Sequence, residues 1–246
     1  MFILQRYFLI FFLILTFDLQ AKQKTFSSDG KKAIFIELFT SQGCSSCPPA
    51  EKYLNKFLNS DELWSKYIPV AFHVDYWDYI GWKDVFAKSE FASRQYRYAN
   101  LKHVRTVYTP AFVVNGSSWR RGFFNSYPQV QGLSSGKLNV IVDGDSVSAT
   151  FKMKPPVDDV LQLNIAILGT QMTVKITAGE NDGRKSEHSF AVLGYKKQLS
   201  DSMQWKLTLP KIKKTNSKRN AFVAWISRKN NPTPVQAVGG WLEDTE

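Results

Sequence analysis

The sequence predicts an α/β domain followed by an all-β antiparallel sandwich-like domain. Nearly continuous apolar runs, typical of strands buried on both faces of a sheet, alternate with helical patterns over residues 31–136. Residues 137–246 instead contain short strand patterns separated by turns, which favours a sandwich of antiparallel sheets. We therefore place the first domain at 22–136 and the second at 137–246.

Composition excludes several functional classes. The 246 residues carry 32 Lys and Arg against 21 Asp and Glu, a net charge of +11. This charge is spread over both halves and forms no basic stripe on one element, so we expect no nucleic-acid partner. Two cysteines and three histidines exclude a disulfide-stapled miniprotein and a zinc site built from four cysteines. We expect no cofactor.

The first 21 residues have the pattern of an export signal. Arg6 is the only cation before an unbroken apolar run at 8–15, and Ala21 precedes a polar stretch. The run is shorter than the roughly 20 residues that span a bilayer. We expect cleavage after Ala21, a periplasmic or secreted protein, and no stable membrane insertion after that cleavage.

The first domain begins with a predicted β-α-β unit. Apolar strands are predicted at 33–39 and 68–74, and the helix between them begins at Pro48-Pro49. Proline suits the first turn of a helix because the backbone N–H that it lacks would be unpaired there. A second helix is predicted at 84–99, and a third strand at 107–115. A β-α-β unit implies that its two strands are parallel.

The second domain begins with a predicted hairpin. Strand patterns at 138–142 and 147–153 flank Asp143-Gly144, a strong hairpin turn signal. A second pair is predicted around Gly169, from strands at 160–168 and 172–177. Further strands are predicted at 190–195, 204–209 and 222–226.

The chemistry is expected at Cys44 and Cys47, which are separated by two serines and lie between the first strand and its helix. The positive end of a helix favours a thiolate, so we expect an exposed, nucleophilic Cys44 and a buried, resolving Cys47. The pair would exchange with protein thiols or disulfides and with a periplasmic redox partner. A C-x-x-C pair in a β-α-β unit is a thioredoxin-like pattern, so the first domain is predicted to be thioredoxin-like.

Two more residues are predicted to assist the cysteines. Pro110 opens an apolar strand, where proline is tolerated. In thioredoxin-like folds a cis-proline lies there, so we predict a cis Thr109-Pro110 bond and a Thr109 backbone that pairs with substrate. Glu37 is the counterpart of the buried carboxylate that accepts a proton from the second cysteine in thioredoxins. A carboxylate hydrogen-bonded within the sheet is the alternative interpretation of Glu37.

An aromatic loop follows the second strand. Tyr76, Trp77 and Trp82 leave the carboxyl end of the sheet, where sites of α/β proteins gather, and are predicted to bind substrate. The alternative is a small satellite core over the sheet. His73 lies near the end of the strand at 68–74 and is the only histidine near the cysteines in sequence. It is expected to be a hydrogen-bonded polar residue, so no metal site is predicted.

Several motifs resemble a known family. Residues 37–50 read ELFTSQGCSSCPPA, and further matching segments lie at 73–78, 81–84, 94–95, 107–110, 179–184 and His188. They resemble a family of secreted bacterial thioredoxin-like proteins of unassigned function, the domain-of-unknown-function 1223 family. The resemblance implies the fold and export and favours a redox role, without naming a substrate. A closing helix is expected at 125–135, where the chain has only a short, weak pattern.

Three functions remain open. The first is an exported thiol–disulfide oxidoreductase. The second is a metal-handling protein that binds copper through Cys44, Cys47 and His73; thioredoxin-like copper chaperones usually separate their cysteines by three residues. The third is a non-catalytic binding module in which the cysteines form a structural disulfide.

Overall fold

The computed structural model describes residues 23–120, 127–129, 135–153 and 159–243. The predicted signal peptide lies outside the described residues, as does most of the segment at 125–135. The described chain contains two α-helices, α1 (Pro48–Asn55) and α2 (Ser89–Asn100). Its strands are β1 (Lys24–Ser27), β2 (Ile34–Thr40), β3 (Tyr67–His73), β4 (Ala111–Val114), β5 (Ser117–Trp119), β6 (Lys137–Asp143), β7 (Ser146–Lys152), β8 (Leu161–Thr170), β9 (Met172–Lys175), β10 (Lys185–His188), β11 (Ala191–Ser200), β12 (Gln204–Thr208), β13 (Arg219–Arg228) and β14 (Asn231–Trp241).

One eight-stranded sheet organises the molecule, in the order β14-β13-β8-β11-β3-β2-β4-β5. β2 and β3 are parallel and flank α1 in sequence, as the β-α-β pattern predicts. β11 joins β3 in parallel where Ala191 faces Ala71, and the Ala71 N–H donates to the carbonyl of Phe190 at 2.8 Å. The sheet therefore continues from the first half of the chain into the second.

The predicted fold class, an α/β thioredoxin-like domain followed by an all-β antiparallel sandwich-like domain, is wrong. The described chain is mostly β, with large mixed and antiparallel sheets and two helices. Both β8 and β13 are buried along nearly their whole length, so each needs neighbours and cover on both faces. They obtain these by extending the sheet that contains β2 and β3.

Two apolar cores lie on opposite faces of β13. Phe222, Ala224 and Ile226 pack against the four-stranded antiparallel sheet β1-β6-β7-β12. The alternate residues, including Val223 and Trp225, belong to the core that also contains residues of α1 and α2. This division follows from the two-residue period of a strand, which sends successive side chains to opposite faces.

The hairpin predicted at Asp143-Gly144 is confirmed, because β6 and β7 pair there in antiparallel register. The pair predicted around Gly169 is wrong. β8 pairs with β11 and β13, whereas β9 pairs with β10. The ten-residue β8 is buried throughout and is matched by partners of equal length, which the four-residue β9 does not offer.

Neither helix of the described chain has the length and apolar character needed to cross a bilayer.

Candidate functional site

Cys44 and Cys47 form a disulfide at the start of α1, with their Cα atoms 5.4 Å apart. Cys47 is the N-cap residue, and its carbonyl accepts hydrogen bonds from the N–H groups of Ala50 (2.9 Å) and Glu51 (3.1 Å). The two prolines occupy the first positions of the helix, as predicted. The cysteine pair therefore lies where backbone N–H groups create a partial positive charge.

Both cysteines are buried. Cys44 is 1% exposed and Cys47 0%, so the expectation that Cys44 is exposed is wrong. The serines between them, Ser45 and Ser46, are exposed. We refer to residues 42–47 as the cysteine loop. Reagents can therefore approach the backbone of this loop, while the sulfur atoms are covered.

A loop from the second half of the chain holds the cysteine loop in place. Asn181, between β9 and β10, donates its side-chain amide to the carbonyls of Gln42 (2.8 Å) and Cys44 (3.0 Å). The carboxylate of Glu180 accepts a bond from the Ser45 N–H at 3.3 Å. Spacing alone did not identify Asn181, whose only sequence signal was the family resemblance at 179–184.

Trp77 connects the cysteine loop to the Thr109-Pro110 segment. Its indole N–H donates to Oγ1 of Thr109 at 2.7 Å. A Cβ added to Gly43 would lie 3.1 Å from the Cβ of Trp77, so the two backbones approach closely. The Thr109-Pro110 peptide bond is cis, as predicted.

Trp82 and Tyr76, the other two aromatic residues predicted to bind substrate, are partly buried and hydrogen-bonded. Trp82 donates to Oε1 of Gln42 at 2.9 Å, beside the cysteine loop. The hydroxyl of Tyr76 donates to Oε1 of Gln95 at 3.1 Å, and Gln95 in turn donates to the carbonyl of Tyr108. Trp77 and Trp82 thus contact the cysteine loop, whereas Tyr76 supports the segment leading to Thr109-Pro110.

Glu37 is completely buried in β2 and is paired within the core. Its carboxylate accepts hydrogen bonds from Nε of Arg94 and from the hydroxyl of Tyr98, each at 2.5 Å. Arg94 also donates to the carbonyl of Pro232 at 3.0 Å. Burial and the Glu37 charge raise the pKa of Tyr98 well above its usual value, against the effect of Arg94. These contacts match the alternative interpretation of Glu37 as a hydrogen-bonded carboxylate.

A second buried carboxylate, Glu51, lies one helical turn after Cys47. Its Oε1 accepts a hydrogen bond from the hydroxyl of Thr40 at 2.6 Å, and its Oε2 lies 2.8 Å from Nδ1 of His188. His73, at the end of β3, lies 2.7 Å through its Nδ1 from Oδ2 of Asp84. Sequence reasoning did not identify Glu51 because its partners come from distant strands.

The charges in this cluster support one another. Burial alone would raise the pKa of Asp84, but the charge of His73 and its hydrogen bond hold it below its usual range. Burial alone would lower the pKa of His73, but the Asp84 charge raises it. Burial also works to raise the pKa of Glu51, yet the charges of His188 and His73 lower it. Each of the two buried carboxylates therefore has a histidine neighbour that lowers its pKa.

A family model described as a protein of unknown function, DUF1223, matches residues 35–227. The chain belongs to this family. No curated protein matches the sequence. The match spans both halves of the chain and includes the two cysteines, α1 and the segment at 179–184.

Two solved structures are similar to this DUF1223 chain. One is a crystal structure of a protein from Agrobacterium tumefaciens, with a TM-score of 0.60, 22% identity, and coverage of 87% of this chain and 97% of that chain. The other is HBP35 of Porphyromonas gingivalis, with a TM-score of 0.57, 15% identity, and coverage of 87% and 76%. At these identities the likeness shows the fold alone.

An open groove of about 630 Å³ runs along α1 of this DUF1223 chain, beginning at the exposed Ser45. Its walls combine apolar and cationic side chains: Pro48, Pro49, Lys52, Tyr53, Lys56 and Arg184. The groove therefore presents a partly apolar, cationic surface next to the cysteine loop.

Proposed function

We propose that the chain is an exported thiol–disulfide oxidoreductase, periplasmic or secreted, in which Cys44 and Cys47 exchange disulfides with protein substrates. The observation that carries this proposal is the disulfide at the N-terminus of α1. There the backbone N–H groups stabilise a thiolate, which is the attacking species in disulfide exchange. Its partners would be protein thiols or disulfides and a periplasmic redox partner, with neither nucleic acid nor stable membrane insertion involved.

The chemistry needs two steps. In the reducing direction, the Cys44 thiolate attacks one sulfur of a substrate disulfide, and the other substrate sulfur leaves as a thiolate. The Cys47 thiolate then attacks Sγ of Cys44, which releases the second substrate sulfur and forms the Cys44–Cys47 bond. Two electrons pass from the pair to the substrate. The reverse sequence oxidises a substrate dithiol, and the potentials of the two partners set the direction.

Substrate contacts are proposed on both sides of the cysteine loop. On one side, Thr109 and Pro110 lie behind Trp77, whose indole fixes the Thr109 side chain. On the other side lies the groove along α1, which begins at Ser45. An extended substrate chain crossing the exposed serines would contact both sides. Because both cysteines are buried, the cysteine loop must open before exchange, and the bonds from Asn181 oppose that opening.

A non-catalytic binding module is the second candidate, and the burial of both cysteines favours it. Reduction potential separates the two functions. Structural disulfides have potentials below about −300 mV, whereas exchanging pairs have higher potentials. We expect a potential above this value, measured by equilibration with glutathione. A potential below it, together with no insulin reduction, would assign the structural role.

Trapping tests the catalytic proposal directly. The variant Cys47→Ser cannot resolve a mixed disulfide, so it should accumulate covalent complexes with exported proteins that dithiothreitol releases. The matched control is Cys44→Ser, which should accumulate far fewer if Cys44 is the nucleophile. Equal trapping by both variants would remove the assigned roles, and no trapping by either would count against exchange with proteins.

A further inference from the structure

Beneath the cysteine loop, Glu51, His73 and His188 converge from α1, β3 and β10. One potential ligand atom of each lies within 4.8 Å of those of the other two. All three side chains are buried: Glu51 is 7% exposed, His73 1% and His188 2%. The three residues are far apart in sequence, so only the fold brings these donors together.

His188 supplies an independent sign of an unfilled interaction. Its Nδ1 lies 2.8 Å from Oε2 of Glu51, close enough for an ion pair, yet the approach does not have the geometry of a hydrogen bond. Its Nε2 has only a 3.4 Å contact with the side-chain nitrogen of Gln42, near the long limit for a hydrogen bond. A buried ring nitrogen whose contacts are poorly oriented for hydrogen bonding is costly, and a cation shared with Glu51 would satisfy it.

His73 is already oriented as metal-binding histidines are. Its Nδ1 lies 2.7 Å from Asp84, which leaves Nε2 as the ring nitrogen available to the cluster. Asp84 is itself fixed by the N–H groups of Gln42 (2.7 Å) and Phe86 (2.9 Å). A carboxylate behind a ligating histidine sets its tautomer and ring orientation.

We infer that Glu51, His73 and His188 bind a divalent transition-metal ion of the zinc class, with Asp84 positioning His73. Two imidazole nitrogens and one carboxylate oxygen match the ligands that Zn²⁺ prefers, whereas Ca²⁺ and Mg²⁺ require oxygen-rich sites. The two carboxylates, Glu51 and Asp84, would balance the charge of the ion. The bound ion would tie β10 to α1 beside the disulfide, independently of whether the cysteines exchange.

The test uses the whole mature chain with its disulfide intact, so that the sulfur atoms cannot bind metal as thiolates. The protein is unfolded and refolded with Zn²⁺ or Co²⁺, and excess metal is removed. We expect about one ion per chain in the wild type and less than a tenth of that in His188→Gln or His73→Gln. The matched control is His103→Gln, which changes the remaining histidine and should keep its ion. Asp84→Asn should bind about 10- to 100-fold more weakly.

X-ray absorption of the zinc-loaded wild type keeps the test decisive if a variant fails to fold. We expect nitrogen and oxygen ligands at about 2.0–2.2 Å, including two imidazoles. Sulfur at about 2.3 Å would place the metal on the cysteines and overturn the inference. Equal metal content in the wild type and a folded His188→Gln would overturn it too, as would loss of the ion in His103→Gln.

Discussion

The side-chain amide of Asn181 donates a 3.0 Å hydrogen bond to the carbonyl of Cys44, 137 residues earlier in the chain. The same amide reaches the carbonyl of Gln42 at 2.8 Å. These two bonds join the turn between β9 and β10 to the loop that carries the disulfide. The turn is therefore tied to the backbone of the cysteine loop.

Asn181→Ala should expose the disulfide. Two hydrogen bonds, each contributing about 1 kcal/mol, are lost, so opening of the cysteine loop becomes more frequent. We expect dithiothreitol to reduce the disulfide on the order of tenfold faster, as followed by thiol labelling. The control is Asn216→Ala, which removes an exposed bond to the carbonyl of Thr173 and should leave the rate unchanged. Equal rates in both variants would show that this turn does not control access.

The Trp77–Thr109 hydrogen bond should stabilise the site measurably. Trp77→Phe keeps an aromatic ring but removes the donor, and Thr109→Val removes the acceptor at nearly constant shape. The two changes should couple by about 0.5–1.5 kcal/mol in a double-mutant cycle of urea unfolding. Additive effects would mean that the 2.7 Å contact contributes nothing. If Thr109 also positions substrate, Trp77→Phe should slow thiol exchange even where the protein remains folded.

Glu37→Gln should destabilise the fold strongly. It leaves the Arg94 charge buried without its carboxylate partner, a loss of about 3–5 kcal/mol in the free energy of unfolding. Glu62→Gln breaks the exposed pair with Lys66 and serves as a control with little expected effect. A small effect of Glu37→Gln would show that the Arg94 pair is dispensable. Thiol exchange by its folded fraction tests the proton-acceptor role separately, since loss of that role predicts slower exchange.

Export predicts a processed N-terminus. Protein recovered from the producing cell should begin near Lys22, as read by N-terminal sequencing or intact mass. Replacing Ala21 by a bulky residue should slow cleavage, because signal cleavage sites prefer small residues. A soluble cytoplasmic form that retains Met1 would contradict the proposed location.

Local patterns predicted the elements better than their arrangement. β2, β3, α1 and the hairpin of β6 and β7 lie within a residue or two of their predicted positions, because period and turn chemistry specify them. Helix α2 begins at Ser89 rather than near residue 84, because the Asp84 carboxylate is hydrogen-bonded to His73 and is not available to cap the helix. The parallel contact of β11 with β3 involves one register position, and no local signal specifies it.

The features of the candidate site also divide into those that could be predicted from the sequence and those that could not. Cys44 and Cys47 were predictable from their local spacing, whereas the cis bond before Pro110 was predicted by analogy with thioredoxin-like folds. The burial of Cys44 was not predictable, because it depends on tertiary packing that no local pattern specifies. The pairing of Glu51 with His188 was also not predictable, because His188 lies on β10 and only the tertiary fold brings it to Glu51.

The separation of 137 residues between Cys44 and Asn181 also has a consequence in time. A chain that is made or delivered N-terminus first presents its thiols long before the asparagine that bonds to the carbonyl of Cys44. At about 5–20 residues per second, the delay is roughly 7–27 seconds. Disulfide formation can occur on a timescale of seconds. The two cysteines can therefore form their disulfide, or remain reduced, while the polypeptide is still unfinished. The completed chain then retains that oxidation state.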